Sequence, residues 1–435
     1  MTALIHASAH AIIPTMSAKK TRIAILHRYG LAGDICCGGH NRPRTIEILH
    51  ERGYEVHFVG PKSMDALSDY AAKYVIMHEL PFTWDRANPT HKWSRTILWL
   101  LWLPFVALWC RIKRMDVVTH TNDTMPLTGW ILRIFYGRNV VTTVMDFFCR
   151  IYTEKHPFLR PLGNFIEWLD IESWKRIPVI LTKVYFIHDY LAEHGVPREA
   201  LLVERNPCDR SIFFPLEGDA RKAAREKLGF ADEDFVMTHH GIMHPNKGND
   251  WVVRRVAELK DEIPTLRFLL MGDGGEMANL KALVDELGLQ EHVLLPGWMP
   301  DEKSLNEAIA SADVGLVMRI GQETDHFHMT DTLNHEMGCA KPVLAANLKG
   351  IAEVVHDGEN GFLFAPDNPE EFRTKLLQLY RDPALRERFG TAALATSREV
   401  SDLEVCAHQV ADPIIALVEK GRRFSRQDAK GREGK

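Results

Sequence analysis

The sequence contains no G-x-G-x-x-G stretch, which removes the usual fingerprint of a dinucleotide site. It holds only seven cysteines, an odd number without framework spacing. Cys36 and Cys37 are adjacent, so no pair has metal-type spacing, and the seven read as reduced thiols of a cytosolic compartment. A large excess of charge of one sign is lacking, with 53 Lys and Arg against 58 Asp and Glu. A net charge of −5 argues against general nucleic-acid binding, while leaving room for a local basic patch against anionic lipid. Residues 1–19 lack a charged n-region ahead of a weakly apolar run, so a secretory signal is not expected, and Met16 before SAKK is an alternative start. The basic stretch 421–435 has little to bury and is expected to be disordered.

What is present is core. With 435 residues, 46% of them hydrophobic, the chain can fill two or three domains. Strand-like runs at 21–26, 54–59, 115–121, 140–144 and 179–187 alternate with helical patterns, and the rhythm restarts at 235–240, 266–271, 293–295 and 314–317. Two doubly wound α/β domains are the economical arrangement. Their boundary is placed in the proline-containing connector ERNPCDRSIFFP at 204–215.

The most apolar run, TILWLLWLPFVALWCRI at 96–112, is flanked by Lys92, Arg95, Arg111, Lys113 and Arg114. At about 17 residues it sits at the short limit for a bilayer core of roughly 30 Å. A strand-like run follows at once, which favours a buried crossover helix over a spanning one. A helix lying in the membrane interface remains a third reading.

The stretch 330–345, TDTLNHEMGCAKPVLA, reads as a capped helix ended by Pro342 and delivered into a buried strand, where an open α/β sheet holds its ligand. Asp146 follows the buried strand 140–144 and is either a reactive carboxylate or a helix cap. Gly38 and Gly39 precede a helix, where they bring backbone N–H groups to an anion or simply make a turn.

These pieces resemble family 4 glycosyltransferases, the glycogen-synthase-like retaining group with the GT-B fold. The resemblance rests on RNPCDRSIFFP, Gly241 with PNKG, MGDGGE, LLPGWMP, MGCAKPVLA and GENGFLFAPDNPEEF, in that order. It implies an α/β fold of two Rossmann-like domains facing across a cleft: an acceptor-side domain at 20–210 and a nucleotide-sugar domain at 211–400. A helix at 401–420 is expected to pack back toward the first. Departure of a nucleoside diphosphate concentrates negative charge, so cations and backbone N–H groups must wait beside it.

By this resemblance Lys247 meets the diphosphate, Gly38 and Gly39 form the glycine turn of the first domain, and Gly272, Asp273 and Gly274 lie near the base. Gly241, His244, His328, Thr330, Asp331 and Thr332 join the donor site, with His335 or Glu336 at the ribose. Asp146 and Lys247 are the catalytic candidates. Three departures stand out: Ile242 where the family has arginine, Phe327 and His335 in the two glutamate slots with Glu336 turned by about 100°, and Met145 ahead of Asp146 in place of histidine. Glu323 or Asp325 is a candidate to restore the first acid.

His326, His328 and His335 lack the pattern of a metal site, and Asp232-Glu233-Asp234 is an ordinary polar turn. No cofactor or metal is expected beyond the nucleotide-diphospho-sugar, and no nucleic acid. The expectation is a cytoplasmic retaining glycosyltransferase acting on a glycan or lipid-linked acceptor, with peripheral membrane contact through 92–114. A catalytically impaired scaffold and a nucleotide-sugar epimerase are the alternatives.

Overall fold

The structure, a computed structural model, describes residues 20–31, 41–63, 70, 73–84, 91–121, 126–137 and 139–433. Gly38 and Gly39 lie outside the described residues. Short runs of buried β-branched and aliphatic residues make the strands, as parallel sheets covered on both faces require. The first sheet contains β1 (Arg22–Leu26), β2 (Glu55–Ser63), β3 (Ile76–Trp84), β4 (Val117–Thr121), β5 (Val140–Val144), β6 (Val179–Thr182) and β7 (Leu201–Val203). Its order is β3-β2-β1-β4-β5-β6-β7, all parallel.

The second sheet contains β8 (Phe235–His240), β9 (Leu266–Met271), β10 (Val293–Gly297), β11 (Val314–Val317), β12 (Val343–Ala346) and β13 (Gly361–Phe364), in the order β10-β9-β8-β11-β12-β13. These are the two doubly wound sheets the sequence implied. Strand order reverses between β1 and β4 and again between β8 and β11, the places where such sheets open a crevice at their carboxyl ends. We propose the division between domains at 210/211, in the connector between the sheets.

On one face of the first sheet lie α1 (Arg42–Glu51) and, from the end of the chain, the helix Leu403–Glu433. Ala407, Val410, Ala411, Ile414 and Val418 of that last helix pack with Ile23, Ile25 and Phe58 of β1 and β2. It continues through 421–433, where a disordered tail was expected, because Arg, Lys, Gln, Glu and Ala are good helix formers once a packed segment has nucleated the helix. On the other face lie α2 (His91–Ile112), α3 (Thr128–Phe135), α4 (Phe148–Lys155) and α5 (Arg160–Trp174). Strand β3 escaped the sequence reading since it is an edge strand interrupted by Pro81, and its side chains are only half covered.

The two sheets are clamped by a 3-10 turn of the second, Glu323–Phe327. Phe327, 2% exposed, inserts its ring among Phe147 at 5.0 Å, Phe186 at 5.0 Å and Tyr190 at 6.0 Å, all from the first domain. The Arg150 guanidinium lies 5.1, 4.7 and 5.3 Å from the ring centres of Phe147, Tyr190 and Phe327, and pairs with both Glu167 and Glu323. Glu154 accepts from the Thr324 amide at 2.8 Å and its hydroxyl at 2.7 Å. Nearby, Glu353 bridges back by pairing with Arg205 at 2.8 Å and accepting from the amides of Tyr185 and Phe186. A ring buried among aromatic partners is worth several kcal/mol. Phe327→Ala is therefore expected to cost about 3–5 kcal/mol and to lower the urea midpoint, with Phe327→Leu intermediate. An unchanged midpoint for the alanine variant would mean that the turn is not a clamp.

Candidate functional site

At the carboxyl end of β8 the chain turns at Gly241, with a φ of 136°, and runs through a 3-10 turn at Pro245–Lys247. His244 begins that turn, and its Nδ1 contacts Asn246 Oδ1 at 2.8 Å, so the imidazole is spent on the loop itself and faces solvent. Ile242 is exposed, with no cation in its place. Lys247 is half-buried; its amide donates to the His244 carbonyl at 2.9 Å, while its ammonium makes no hydrogen bond or ion pair among the described residues. Loss of water pushes its ammonium down to about 7, helped by the neighbouring Arg319 charge, while Asp325 and Asp331 oppose the shift.

Arg319 stands across the same crevice, just past the end of β11, and donates to Asp325 Oδ1 at 2.9 Å. Its buried Nε has no partner among the described residues. The two loops are tied by the Ile320 amide, which donates to the Asn246 carbonyl at 3.1 Å. Two cations with free donors thus flank the point where strand order reverses. That is a place for an anion.

The expected base loop, Gly272 to Gly274, acts here as a brace. A Cβ on Gly272 would lie 1.9 Å from the Gly241 carbonyl oxygen, and one on Gly274 would lie 2.4 Å from that of Met243. The Asp273 carbonyl accepts from the Met243 amide at 2.9 Å, and its carboxylate accepts from the Gly274 amide at 2.7 Å. Close backbone contact of this kind fixes the turn that carries Lys247.

The helix α11 follows the clamp turn at Asp331–Gly338, numbered after α6 (Tyr185–Glu193), α7 (Gly218–Leu228), α8 (Asn249–Leu259), α9 (Met277–Glu286) and α10 (Glu302–Ser311). Thr330 caps it by accepting from the Leu333 amide. Asp331 Oδ1 accepts from Asn206 Nδ2 at 3.0 Å, and Thr332 donates to the His240 carbonyl at 2.9 Å. His335 stacks on Phe213, with centroids 3.7 Å apart, and on His240 at 5.2 Å. Glu336 must be corrected as a donor-site residue. It is 0% exposed, turned onto the sheet beneath Gly315, where it accepts from the Thr238 hydroxyl at 2.9 Å. Burial pushes its carboxyl well above the ordinary range, more than the Thr238 bond and the Lys341 charge offset. Thr332 is likewise buried and committed to the backbone.

Neither Glu323 nor Asp325 restores the first acid, because one is paired with Arg150 and the other with Arg319. Phe327 is the clamp. The next residue, His328, instead reaches the first domain, its Nε2 lying 3.3 Å from Asp146 Oδ1 at the carboxyl end of β5. Burial pushes the imidazole well below its usual value, and the Arg319 and Lys247 charges push the same way, so it meets the carboxylate neutral. His326 faces elsewhere and accepts from the Lys349 amide at 3.2 Å. The first domain lacks a histidine before Asp146, and the second supplies one from across the cleft.

Residues 234–382 match the family described as glycosyl transferases group 1. The putative glycosyltransferase EpsD of Bacillus subtilis is 25% identical over 245 residues, which is 56% of this chain and 62% of that protein. A Mycolicibacterium smegmatis protein described as a GDP-mannose-dependent alpha-(1-6)-phosphatidylinositol monomannoside mannosyltransferase is 26% identical over 185 residues, 42% of this chain and 48% of that one. The chain thus spans under two thirds of the length of these curated relatives. Anabaena HepE, solved with UDP, superposes with a TM-score of 0.69 at 18% identity, over 91% of this chain and 100% of that one. The shared architecture is GT-B, and the matched segment 234–382 lies in its second half.

Arg319 was missed in the sequence although the rule that singled out Asp146, a charged residue just past a buried strand, finds it in VGLVMR. Two outcomes check the brace and the buried acid. Because a Cβ there would meet the Gly241 carbonyl, Gly272→Ala is expected to lower the urea midpoint. The stability linked to Glu336 is full below the ordinary carboxyl range and declines as pH rises toward its elevated folded value. Glu336→Gln, which keeps an acceptor for Thr238, should flatten the change in urea midpoint between pH 5 and pH 8.

Proposed function

We propose that the protein is a glycosyltransferase that moves a sugar from a nucleotide-diphospho-sugar to a glycan or lipid-linked acceptor in glycoconjugate assembly. The observation that carries this reading is the convergence of Lys247 and Arg319, with unpartnered donors, on the His328–Asp146 contact between the domains. The diphosphate lies against Lys247 and Arg319, which takes over the cation absent at Ile242. Arrival of the anion draws the Lys247 ammonium back to its charged form. As the bond from the anomeric carbon to the phosphate oxygen breaks, the electron pair leaves with the diphosphate, and the growing charge meets cations already in place.

The acceptor hydroxyl enters from the first domain, oriented by Asp146, whose position His328 fixes. Its oxygen bonds to the anomeric carbon on the face the phosphate leaves, and its proton passes to the departing phosphate oxygen. Anomeric configuration is retained, and no metal takes part in the step. His335 meets the nucleoside, and Gly241 admits the phosphates. The enzyme acts in the cytoplasm, with the acceptor-side domain toward the inner membrane face.

A binding scaffold is the second reading, favoured by the exposed Ile242 and the buried Glu336. A thermal-shift screen against UDP, GDP, ADP and their sugar conjugates, followed by product analysis with and without acceptors, separates the two. A ligand at about 100 times its Kd stabilises by about 2.7 kcal/mol. Lys247→Ala should lose about 1.5–3 kcal/mol of charged hydrogen bonding, or roughly 10–100-fold in nucleotide affinity. Since the free ammonium titrates near 7, affinity should fall as pH rises from 7 to 9, with proton uptake on binding, and Lys247→Ala should abolish that dependence. Asp146→Asn should leave nucleotide affinity within about twofold and reduce turnover about 100-fold. Equal losses of both would place Asp146 at the donor instead.

A further inference from the structure

Helix α2 carries two apolar stripes, where a crossover helix between sheet and water needs one. Trp99, Leu103, Val106, Ala107 and Cys110 face the first sheet and are buried. Ile97, Leu101, Phe105, Leu108 and Ile112, spaced by four, four, three and four residues, face outward and are 58, 63, 66, 43 and 69% exposed. The neighbouring helices repeat the pattern. On α5, Leu162, Phe165 and Trp168 are 56, 55 and 52% exposed, the last two stacked at 5.8 Å, and on α3 Ile134 is 63% exposed.

Since α2 packs on α3 and α3 on α5, over one face of the sheet, their outward sides form one surface. Eleven of the 21 exposed large apolar side chains among the described residues lie on these three helices. On the opposite face, α1 and residues 403–421 of the last helix show one among the described side chains, Val405. Such concentration on one side exceeds scattered surface apolars and marks an interaction face.

We propose that the layer α2–α3–α5 seats the protein on an anionic lipid bilayer, lying in the headgroup–acyl boundary rather than crossing it. By length and composition Ser94–Ile112 is long and apolar enough to span, yet its inner stripe is part of the domain core, so the helix cannot be surrounded by lipid while the domain stays folded. Arg111, Lys113 and Arg114 project, exposed, at one end of the outer stripe, where lipid phosphates complement them. The tryptophans Trp102 and Trp168 suit the headgroup level.

A second observation points to hydrocarbon. A cavity of about 300 Å³ opens between β3 and α2, lined by apolar side chains, Trp102, Phe105 and Trp109 among them, together with His78 and Glu79, and Trp102 and Phe105 belong to the exposed face. Its apolar part takes the end of one acyl chain from the layer beneath. The Ser94–Thr96 end of α2 touches Arg28 at the carboxyl end of β1, so a seated bilayer lies alongside the acceptor side of the cleft. The inference rests on the transfer reading for its purpose only, since bilayer binding and nucleotide binding are measured separately.

The test is flotation of the full chain with vesicles of phosphatidylcholine alone or mixed with phosphatidylglycerol. The full chain is expected to float with the anionic vesicles, at least tenfold more than with the neutral ones, and to be released by high salt. Leu101→Gln with Phe105→Gln, both at exposed positions, should reduce flotation at least tenfold while leaving the nucleotide-induced thermal shift unchanged. Val405→Gln, on the opposite face, should change neither. Failure to float on anionic vesicles, or equal flotation of the double variant, overturns the proposal. So does sedimentation showing a stable dimer that the double variant dissociates, because a second copy would then cover the face. If the nucleotide shift is absent but flotation follows the expected pattern, the seat stands and the transfer reading fails.

Discussion

The insertion of one phenyl ring sets the geometry on which everything else depends. Phe327 ends the 3-10 turn of the second domain inside an aromatic pocket of the first, beneath the Arg150 guanidinium, which is itself fixed by Glu167 and Glu323. The residue after it, His328, is thereby carried to Asp146, and α11 begins three residues later at a set distance from Lys247. Glu154 with Thr324 and Arg150 with Glu323 hold the start of that turn, and the ring holds the end that carries the histidine. Arg150 is a cation shared by two carboxylates and three rings, so its desolvation is offset by several partners at once.

Burial then assigns the chemistry. Lys247 and Arg319 keep unused donors at a strand switch point, where an approaching anion is the partner that restores what was lost from water. Glu336 shows the opposite outcome of the same physics: sealed under Gly315 with one hydroxyl, it is favoured neutral and serves the core. The Asp146 carboxylate lies beside a neutral imidazole at the carboxyl end of β5. The glycines at 272 and 274 take no part in that chemistry; they allow two backbones to touch, and so hold the loop that presents the lysine.

Much of this was legible in the order of residues. The buried strand before it located Asp146, because loops at the carboxyl ends of parallel strands carry ligands whatever the ligand is, whereas Gly241, Lys247 and Gly272 were singled out by the resemblance of PNKG and MGDGGE to the family. The pairing across the cleft was not legible, since contact between residues 146 and 328 depends on how two domains dock. Phe327 read as a departure from an acidic slot, and only its aromatic neighbours explain it. Glu336 and His335, adjacent in sequence, part company because one lies beneath Gly315 inside the sheet and the other stacks between Phe213 and His240 at the sheet's carboxyl end. The double stripe of α2 read as a single apolar run, because composition cannot tell which side of a helix the protein covers.

The measurement that bears most directly on the account is a structure of the protein with a nucleoside diphosphate bound. The account expects diphosphate oxygens within hydrogen-bond reach of Lys247 Nζ and Arg319 Nε, with the leaving oxygen turned toward Asp146 and His328. A rival site exists: a cavity of about 690 Å³ on the outer side of the second domain, lined by Arg373, Arg381 and Arg388, away from the carboxyl ends of the strands. A nucleotide found there, with the crevice beside Lys247 left empty, would contradict the account.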